Sequence, residues 1–532
     1  MDRNGRSTSD DLPAATASLL AKFSITQLQS NPGRYQWSRN LRTFIDNVGQ
    51  QVLGWSADHP FEPAEILPIP KKKPGSRQPY RVLARYSLTD SVISGAFSAY
   101  LRALIDPLLD KHCYAFRLPR NGSPLTHHDA VRDLRTFAVG QRARINLWVA
   151  ECDIQGFFDA VSHDVAKAAV SGLLAERDVA IDPRLGAFMQ SFLTGFEYEK
   201  ARTLAEARLT AKGVANPVLF DPRSKINALN IPLPDGTRLG IPQGSAFSCI
   251  VANAVLSAAD RRSRVRIGSH ARTFYARYCD DIIVVSTNRR VATTALSGYM
   301  ASLRDLKLPF HSPQVVTTPA SPRWWRTRSG RSAGRLFWKA KSKKPYLWTP
   351  PGATTGWPWI AFLGYHLRRD GKLRVRQSSV EKEVAKQRKA VDDILGGMCR
   401  SAWKRRDGHP HQIPRTPQIL QAATMHMVSI GVGYPVEHSI RPMENSVCWA
   451  NGFKLLREGH FDSRALQTLD RGRGRALGAL LGRVAGLLRG GIAKERKEKQ
   501  PRNRSKGKQF RLSFAGRPLS YVAQFLKETR NQ

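Results

Sequence analysis

Residues 272–287 read Arg272-Thr273-Phe274-Tyr275-Ala276-Arg277-Tyr278-Cys279-Asp280-Asp281-Ile282-Ile283-Val284-Val285-Ser286-Thr287. Two adjacent carboxylates sit between two short apolar stretches, a pattern that predicts a β-hairpin with the acids at its tip. Adjacent acids repel each other, so a fold that keeps them side by side usually sets them on a divalent cation. In a strongly basic chain this suggests metal-assisted phosphoryl transfer on a nucleic acid.

The wider composition agrees. The chain has 532 residues, enough for several domains and a sizeable core, and 41% of them are hydrophobic, which excludes a disordered chain. Lys and Arg number 84 against 42 Asp and Glu, a formal net charge of +42. Two cations per anion over an enzyme-sized chain point to a polyanionic partner, nucleic acid rather than a membrane surface, because the charge is spread along the chain and borders no apolar span. Met1–Pro13 is polar, so no signal peptide is expected, and no run of about 18 apolar residues predicts a membrane span. The six cysteines (Cys113, Cys152, Cys249, Cys279, Cys399 and Cys448) form no CxxC, which argues against a zinc ribbon and for reduced thiols in a cytoplasmic protein.

Outward from the hairpin, residues 145–154 read as a buried strand ending in Asp153. Gly240-Ile241-Pro242-Gln243-Gly244 reads as a loop opening a helix, with apolar residues at Phe247, Ile250, Val251, Ala254, Val255 and Ala258 at the period of a core-facing helix. If the two strands are neighbours, Asp153, Asp280 and Asp281 meet at one sheet edge, a cluster suited to two Mg²⁺ ions about 4 Å apart. Asp90–Leu109 and 291–306 carry helical spacing, Glu65–Ile69 is a strand candidate, and Lys71-Lys72-Lys73-Pro74-Gly75 is a cationic turn. From Ser378 long helices take over, with Ser378-Ser379-Val380-Glu381 as a capping-box signature.

The ordered set of motifs resembles the reverse transcriptase family. Asp153-Ile154-Gln155-Gly156-Phe157-Phe158-Asp159 resembles its first palm motif, Ile241-Pro242-Gln243-Gly244 its Pro-Gln-Gly motif and Tyr278-Cys279-Asp280-Asp281 its Tyr-x-Asp-Asp motif. Phe362-Leu363-Gly364-Tyr365 resembles its primer grip, while Arg81-Val82-Leu83, Asp90 and Tyr114-Ala115-Phe116-Arg117 fit its fingers. The resemblance covers roughly residues 64–376. It implies an α+β right-hand polymerase with fingers and an antiparallel palm sheet at 64–376. A helical extension at 1–63, an all-helical thumb-like domain at 377–493 and a basic segment at 494–532 would complete it.

By resemblance, Asp153, Asp280 and Asp281 are the catalytic acids. With Ile154 they form the metal set for two Mg²⁺ ions, or Mn²⁺ in their place. Phe158, five residues after Asp153, matches the steric gate that excludes a 2′-hydroxyl and so prefers dNTPs. Gln243 and Gly244 contact the incoming nucleotide and the template; Lys73 and Arg81, or Arg77 in place of Arg81, hold the triphosphate; Phe362, Leu363 and Gly364 grip the primer. Where the family often has a lysine for the pyrophosphate, this chain has Gln314, with Lys307 nearby. An HNH end, a maturase tail, an Asn-Ala-x-x-His insertion and a Val-Thr-Gly after the primer grip are absent from the sequence. By elimination the chain is most similar to the bacterial unknown-group reverse transcriptases, many of them defence-associated. That resemblance implies a structured non-coding RNA as template or scaffold, a DNA product, and room for a homo-oligomer. An RNA-dependent RNA polymerase and a non-catalytic RNA-binding scaffold on a polymerase fold are the competing readings.

Two further features stand out. About residues 320–360 cations interleave with aromatics, including Trp324, Trp325, Arg326, Trp338 and Lys339. That composition suits a nucleic-acid surface, or else a hairpin with core aromatics and solvated cations. Gly474, Gly478, Gly482, Gly486 and Gly490 recur every four residues opposite a leucine face. Such a ridge permits close approach to a subunit or an RNA backbone; the plainer reading is a marginal helix that tolerates its glycines.

Overall fold

A computed structural model describes residues 11–30, 40–56, 58–59, 61–71, 78–118, 124–177, 180–316, 332–403, 423, 449, 451–458 and 460–496. The fold mixes helices with small antiparallel sheets, and it divides into two compact units, residues 1–137 with 141–357 and residues 138–140 with 358–532. Lys73, Arg77, Trp324, Trp325 and Arg326 lie outside the described residues.

In the first unit β1 (Glu65–Pro70) pairs antiparallel with β2 (Tyr80–Arg85). A second sheet contains β3 (Leu147–Cys152), β4 (Thr273–Tyr278), β5 (Asp281–Ser286) and β6 (Lys343–Trp348), in the order β4-β5-β3-β6 with every pair antiparallel. β4 and β5 are the hairpin expected from the opening stretch, and β3 is the strand expected before Asp153. β5 is buried at every residue after Asp281, as a run of Ile and Val with no polar alternation demands. Helix Arg289–Asp305 packs on β3 and β5 and against helix Ala246–Ile267. The latter starts as expected after the Pro-Gln-Gly loop, with Ser245 Oγ accepting from Phe247 N at 3.1 Å. Its expected apolar face is buried except at Ala258, which faces out while Ala259 and Leu256 turn inward.

The core continues under helix Leu88–Ile105, where Phe97 stacks on Phe188 at 4.1 Å and Trp55, Phe61, Phe192 and Phe247 close around them. Burying each such ring contributes roughly 1.5–3 kcal/mol. The basic-aromatic stretch supplies β6, and its described aromatics Phe337, Tyr346, Trp348 and Trp357 are buried, with Phe337 stacked on Trp357 at 4.0 Å. Lys343 is buried as well, its ammonium paired with Glu151 on β3. Trp338 is half-buried beside Phe337, and Lys339 is exposed. Cys113, Cys152, Cys249 and Cys279 are free thiols, and among the described residues no helix is long and apolar enough to cross a membrane.

In the second unit β7 (Trp359–Phe362), β8 (Tyr365–Arg368) and β9 (Leu373–Val375) form an antiparallel sheet. Helix Gln377–Trp403 packs on helix Arg464–Arg496. The first of these begins at Gln377, one residue before the expected cap, so Ser378 lies inside the first turn and Gln377 Nε2 reaches Glu381 at 3.1 Å. Ala476, Leu477, Leu480 and Val484 bury against Val391 and Leu395. The glycine that meets a close neighbour is Gly472, where a Cβ would stand 2.7 Å from Gln387 Oε1; at Gly474, Gly478, Gly482 and Gly486 no described atom lies within 4 Å of that position. The ridge therefore packs nothing within the described chain, and each interior glycine costs the helix about 1 kcal/mol relative to alanine. Gly478→Ala and Gly482→Ala should each raise unfolding stability in urea by about that amount.

Candidate active site

The last pair of the β3–β5 ladder is Cys152 with Ile282. One step further along the same register, Asp153 leaves β3 beside Asp281, the first residue of β5. Asp280 sits on the two-residue turn closed by the Tyr278–Asp281 pair. Three carboxylates from adjacent strand ends thus come together, as the sequence pattern anticipates.

The turn carries strain. Cys279 adopts φ +57°, a left-handed conformation that favoured hairpin turns demand and glycine normally fills. For a non-glycine residue it costs on the order of 1–3 kcal/mol. Arg277 Nη1 donates to the Cys279 carbonyl at 3.1 Å and holds the turn in place. Asp153 is pinned on both sides: its N–H donates to Ser342 Oγ at 3.0 Å, and its carbonyl accepts from His311 N at 3.0 Å.

The acids disturb one another. Burial, then the charge of Asp153, raises Asp280 above its ordinary range. Crowding by protein atoms, then the charges of Asp280 and Asp153, pushes Asp281 up to about 8, with a hydrogen bond between the Asp281 and Asp153 side chains adding to the shift. Asp281 remains open to solvent, so the like-charge repulsion is the decisive part. A cation answers it in part: Lys341 Nζ stands 3.3 Å from Asp153 Oδ2, and His311 Nε2 stands 3.5 Å from the same oxygen. Among the described residues no three His, Cys, Asp or Glu side chains form a ready-made metal cluster. The donor set nevertheless suits a hard divalent cation, since it gathers carboxylate oxygens whose mutual repulsion such a cation relieves.

Phe157 and Phe158 divide two tasks. Phe157 is fully buried, whereas Phe158 keeps part of its ring exposed, with centroids 5.4 Å apart. The Phe158 carbonyl accepts from Ile241 N at 2.8 Å, which ties the segment after Asp153 to the Pro-Gln-Gly loop. That loop is joined in turn to β2, where Ala84 N donates to Gln243 O at 2.8 Å. Gly244 has φ +125°, and a Cβ there would meet Ala84 O at 2.4 Å, so the approach of loop to strand requires glycine.

Several residues at the site escape the sequence reading. Gln243 Nε2 donates to Asp159 Oδ1 at 2.6 Å, and Asp159 is buried. Burial pushes the Asp159 carboxyl up to about 7 against the pull of Gln243, Lys71 and Arg81. Lys71 is lowered by burial, with Asp159 opposing and Arg81 and Lys341 reinforcing. Lys71 and Arg81 therefore share one electrostatic neighbourhood with Asp159, and Lys341 acts both on Lys71 and on the trio. Arg81 itself is exposed on β2 opposite Ile69. Gln314 pairs through its main chain with Lys343 and Lys344, and Lys307 occupies a turn at φ +55°. The signals for Asp159 and Lys71 were present, one beside the first palm motif and the other opening the cationic turn, whereas nothing local marks Lys341.

In the second unit Phe362 and Tyr365 close a two-residue turn in which Leu363 (φ +45°) and Gly364 (φ +87°) are both left-handed, the signature of a tight type I′ hairpin. Phe362 is buried in that unit.

No family model matches the chain, and no curated protein matches it. Solved structures similar to it include apo telomerase from Candida tropicalis, at 10% identity and a TM-score of 0.39, covering 86% of this chain and 64% of that one. Telomerase from Candida albicans in complex with a TWJ fragment of telomeric RNA is similar at 11% identity and a TM-score of 0.34, covering 84% of this chain and 63% of that one. The chain thus spans less than two thirds of those telomerase chains. Likeness of this degree assigns neither an activity nor a partner.

The raised Asp159 carboxyl has a measurable consequence. Between about pH 4 and pH 7 the unfolded chain releases this proton while the folded chain keeps it, so this group makes folding less favourable as pH rises through that window. Asp159→Asn retains an acceptor for Gln243 and removes the titration, so it should flatten the fall in stability between pH 4 and 7 when urea unfolding is followed across pH.

Proposed function

We propose that the chain is an RNA-directed DNA polymerase that adds dNTPs to a nucleic-acid 3′ end. The observation that supports it best is the convergence of Asp153, Asp280 and Asp281 at the ends of neighbouring strands, with Phe158 and the Gln243–Gly244 loop tied to the same segment. Two Mg²⁺ ions, or Mn²⁺, held by these acids with Ile154 would activate the primer hydroxyl and stabilise the leaving pyrophosphate.

The protein's own share is positional. The Arg277 bond to Cys279 O and the two main-chain bonds of Asp153 hold the acids where strand ends meet. Lys71 and Arg81 offer cations to the triphosphate, a role the resemblance gives to Lys73 and Arg81. The exposed part of the Phe158 ring stands against the sugar and disfavours a 2′-hydroxyl. The bond from Ala84 N to Gln243 O and the close approach of Gly244 to Ala84 join the Pro-Gln-Gly loop to β2, which carries Arg81. Asp159 orients the Gln243 amide from beneath.

A net charge of +42 supports a lasting RNA partner, which we read as a structured non-coding RNA. The subgroup resemblance supports reading the chain's role as bacterial anti-phage defence, in the cytoplasm.

Labelled dNTPs offered with Mg²⁺ and a primed RNA template should be incorporated by the wild type, and Asp280→Ala/Asp281→Ala should reduce incorporation to background. Incorporation of NTPs in preference to dNTPs would establish an RNA polymerase instead, and no incorporation on any template would leave an RNA-binding scaffold. Phe158→Ala should weaken the preference for dNTPs over NTPs by up to about 100-fold, the discrimination an apolar contact exerts against one added hydroxyl. Unchanged sugar selectivity would remove Phe158 from that role.

A further inference from the structure

Lys341 lies on the short turn between helix Ser332–Lys339 and β6. The turn is anchored from two sides. Ser342 Oγ accepts from Asp153 N at 3.0 Å, and Ser342 O accepts from Gln314 N at 3.1 Å. Its neighbour Lys343 is buried against Glu151 and under the Phe337 ring, so the cation that helps hold β6 to β3 is Lys343. Lys341 has no such structural task. Its side chain is 65% exposed, and its ammonium ends 3.3 Å from Asp153 Oδ2.

As an ion pair for stability this contact is poor. A long, solvated lysine gains little from such a pair, even with a carboxylate that is largely buried, and loses rotamer freedom in making it. What distinguishes the contact is its partner, a carboxylate that belongs to the repelling trio. The ammonium also acts electrostatically on Asp280, Asp281 and Lys71. Among the described residues Lys341 is thus the lysine whose charge acts both on the acids and on Lys71.

Metal and ammonium compete for the same charge. When the carboxylates are neutralised by divalent cations, the attraction that draws Lys341 to Asp153 is lost and cation–cation repulsion takes its place. A flexible four-carbon stem on an anchored turn then carries the ammonium to the nearest remaining anion. In a nucleotidyl-transfer site that anion is the triphosphate or the departing pyrophosphate.

We propose that Lys341 is a two-position cation, the counter-ion of Asp153 in the resting site and a ligand of the substrate's phosphate oxygens once the acids hold metal. This rests on the polymerase reading for its second position only.

The test uses the full chain with Lys341→Ala, Lys341→Gln and Lys341→Arg, each first checked for an unchanged melting temperature. Mn²⁺ is titrated alone and followed by electron paramagnetic resonance. Affinity for dTTP and for inorganic pyrophosphate is then measured by calorimetry at saturating Mn²⁺. Removing the competitor should tighten Mn²⁺ binding severalfold in Lys341→Ala and Lys341→Gln. The same variants should bind dTTP and pyrophosphate about tenfold or more weakly, the effect of one hydrogen bond to a charged group. Lys341→Arg should restore phosphate binding. These opposite signs are the signature: a merely structural lysine would weaken both, and weaker or unchanged Mn²⁺ binding in Lys341→Ala would overturn the proposal, as would unchanged dTTP affinity. Failure of the wild type to incorporate any nucleotide overturns the polymerase reading separately, because neither binding measurement depends on turnover.

Discussion

A buried ion pair supports the acid hairpin. Arg277 on β4 and Asp260 on helix Ala246–Ile267 are both fully buried, 2.7 Å apart. Taking two charges out of water costs several kcal/mol per ion, so the pair persists only because its remaining valences are satisfied. Arg277 Nε and Nη2 donate to Asp260, and Tyr275 OH donates to the same carboxylate. Arg277 Nη1 donates to Asn253 Oδ1 and Cys279 O, and Asn253 Nδ2 donates onward to Ala115 O at 2.7 Å. One guanidinium thereby joins a helix, a strand and the strained turn, and the Arg277 main-chain carbonyl adds the segment at Tyr114, whose N–H donates to it at 3.0 Å. Losing either partner would leave an uncompensated buried charge, a penalty of about 3–5 kcal/mol.

That investment in rigidity matches what the hairpin has to carry. Asp280 and Asp281 cannot relax apart, because the turn above the ion pair is fixed, and Asp153 cannot withdraw, because Ser342 and His311 hold its main chain. The repulsion is therefore built in, and Lys341 answers it, while Lys71 and Arg81 act on Asp159. Lys71 and Arg81 lie on the side of β1 and β2, Lys341 on the side of β6. A site of this kind gathers its counter-charge from elements far apart in sequence and leaves part of it on exposed, movable stems.

Legibility followed locality. The hairpin, the strand before Asp153, the Pro-Gln-Gly loop and the helix after it are each written in a dozen or so consecutive residues, by apolar runs and turn residues. The basic-aromatic stretch was harder, because its period mixes two roles. Tyr346 and Trp348 point into the core as a β-strand demands, while Lys343, which reads as a solvated cation, is buried against Glu151 on a strand 192 residues away. The glycine pattern left two readings open, and within the described chain the plainer one, a helix that tolerates its glycines, fits. Its conspicuous four-residue period picks out positions with open surroundings, while the closely packed Gly472 sits outside the period.

The sequence by itself determined that two acids share a hairpin tip, that a third ends a strand, and that Phe158 and Gln243 belong to motifs arranged around them. The placement of the acids follows from side-chain periodicity and turn chemistry, which act over a few residues, whereas Phe158 and Gln243 were marked by a family resemblance. Only the tertiary structure decided which cations face the acids, that Asp159 lies under Gln243, and that Arg277 spends its charge on Asp260 rather than on a ligand. Electrostatic partnership depends on distance in space, and the fold brings Lys341 within 3.3 Å of Asp153 across a separation that no local pattern records.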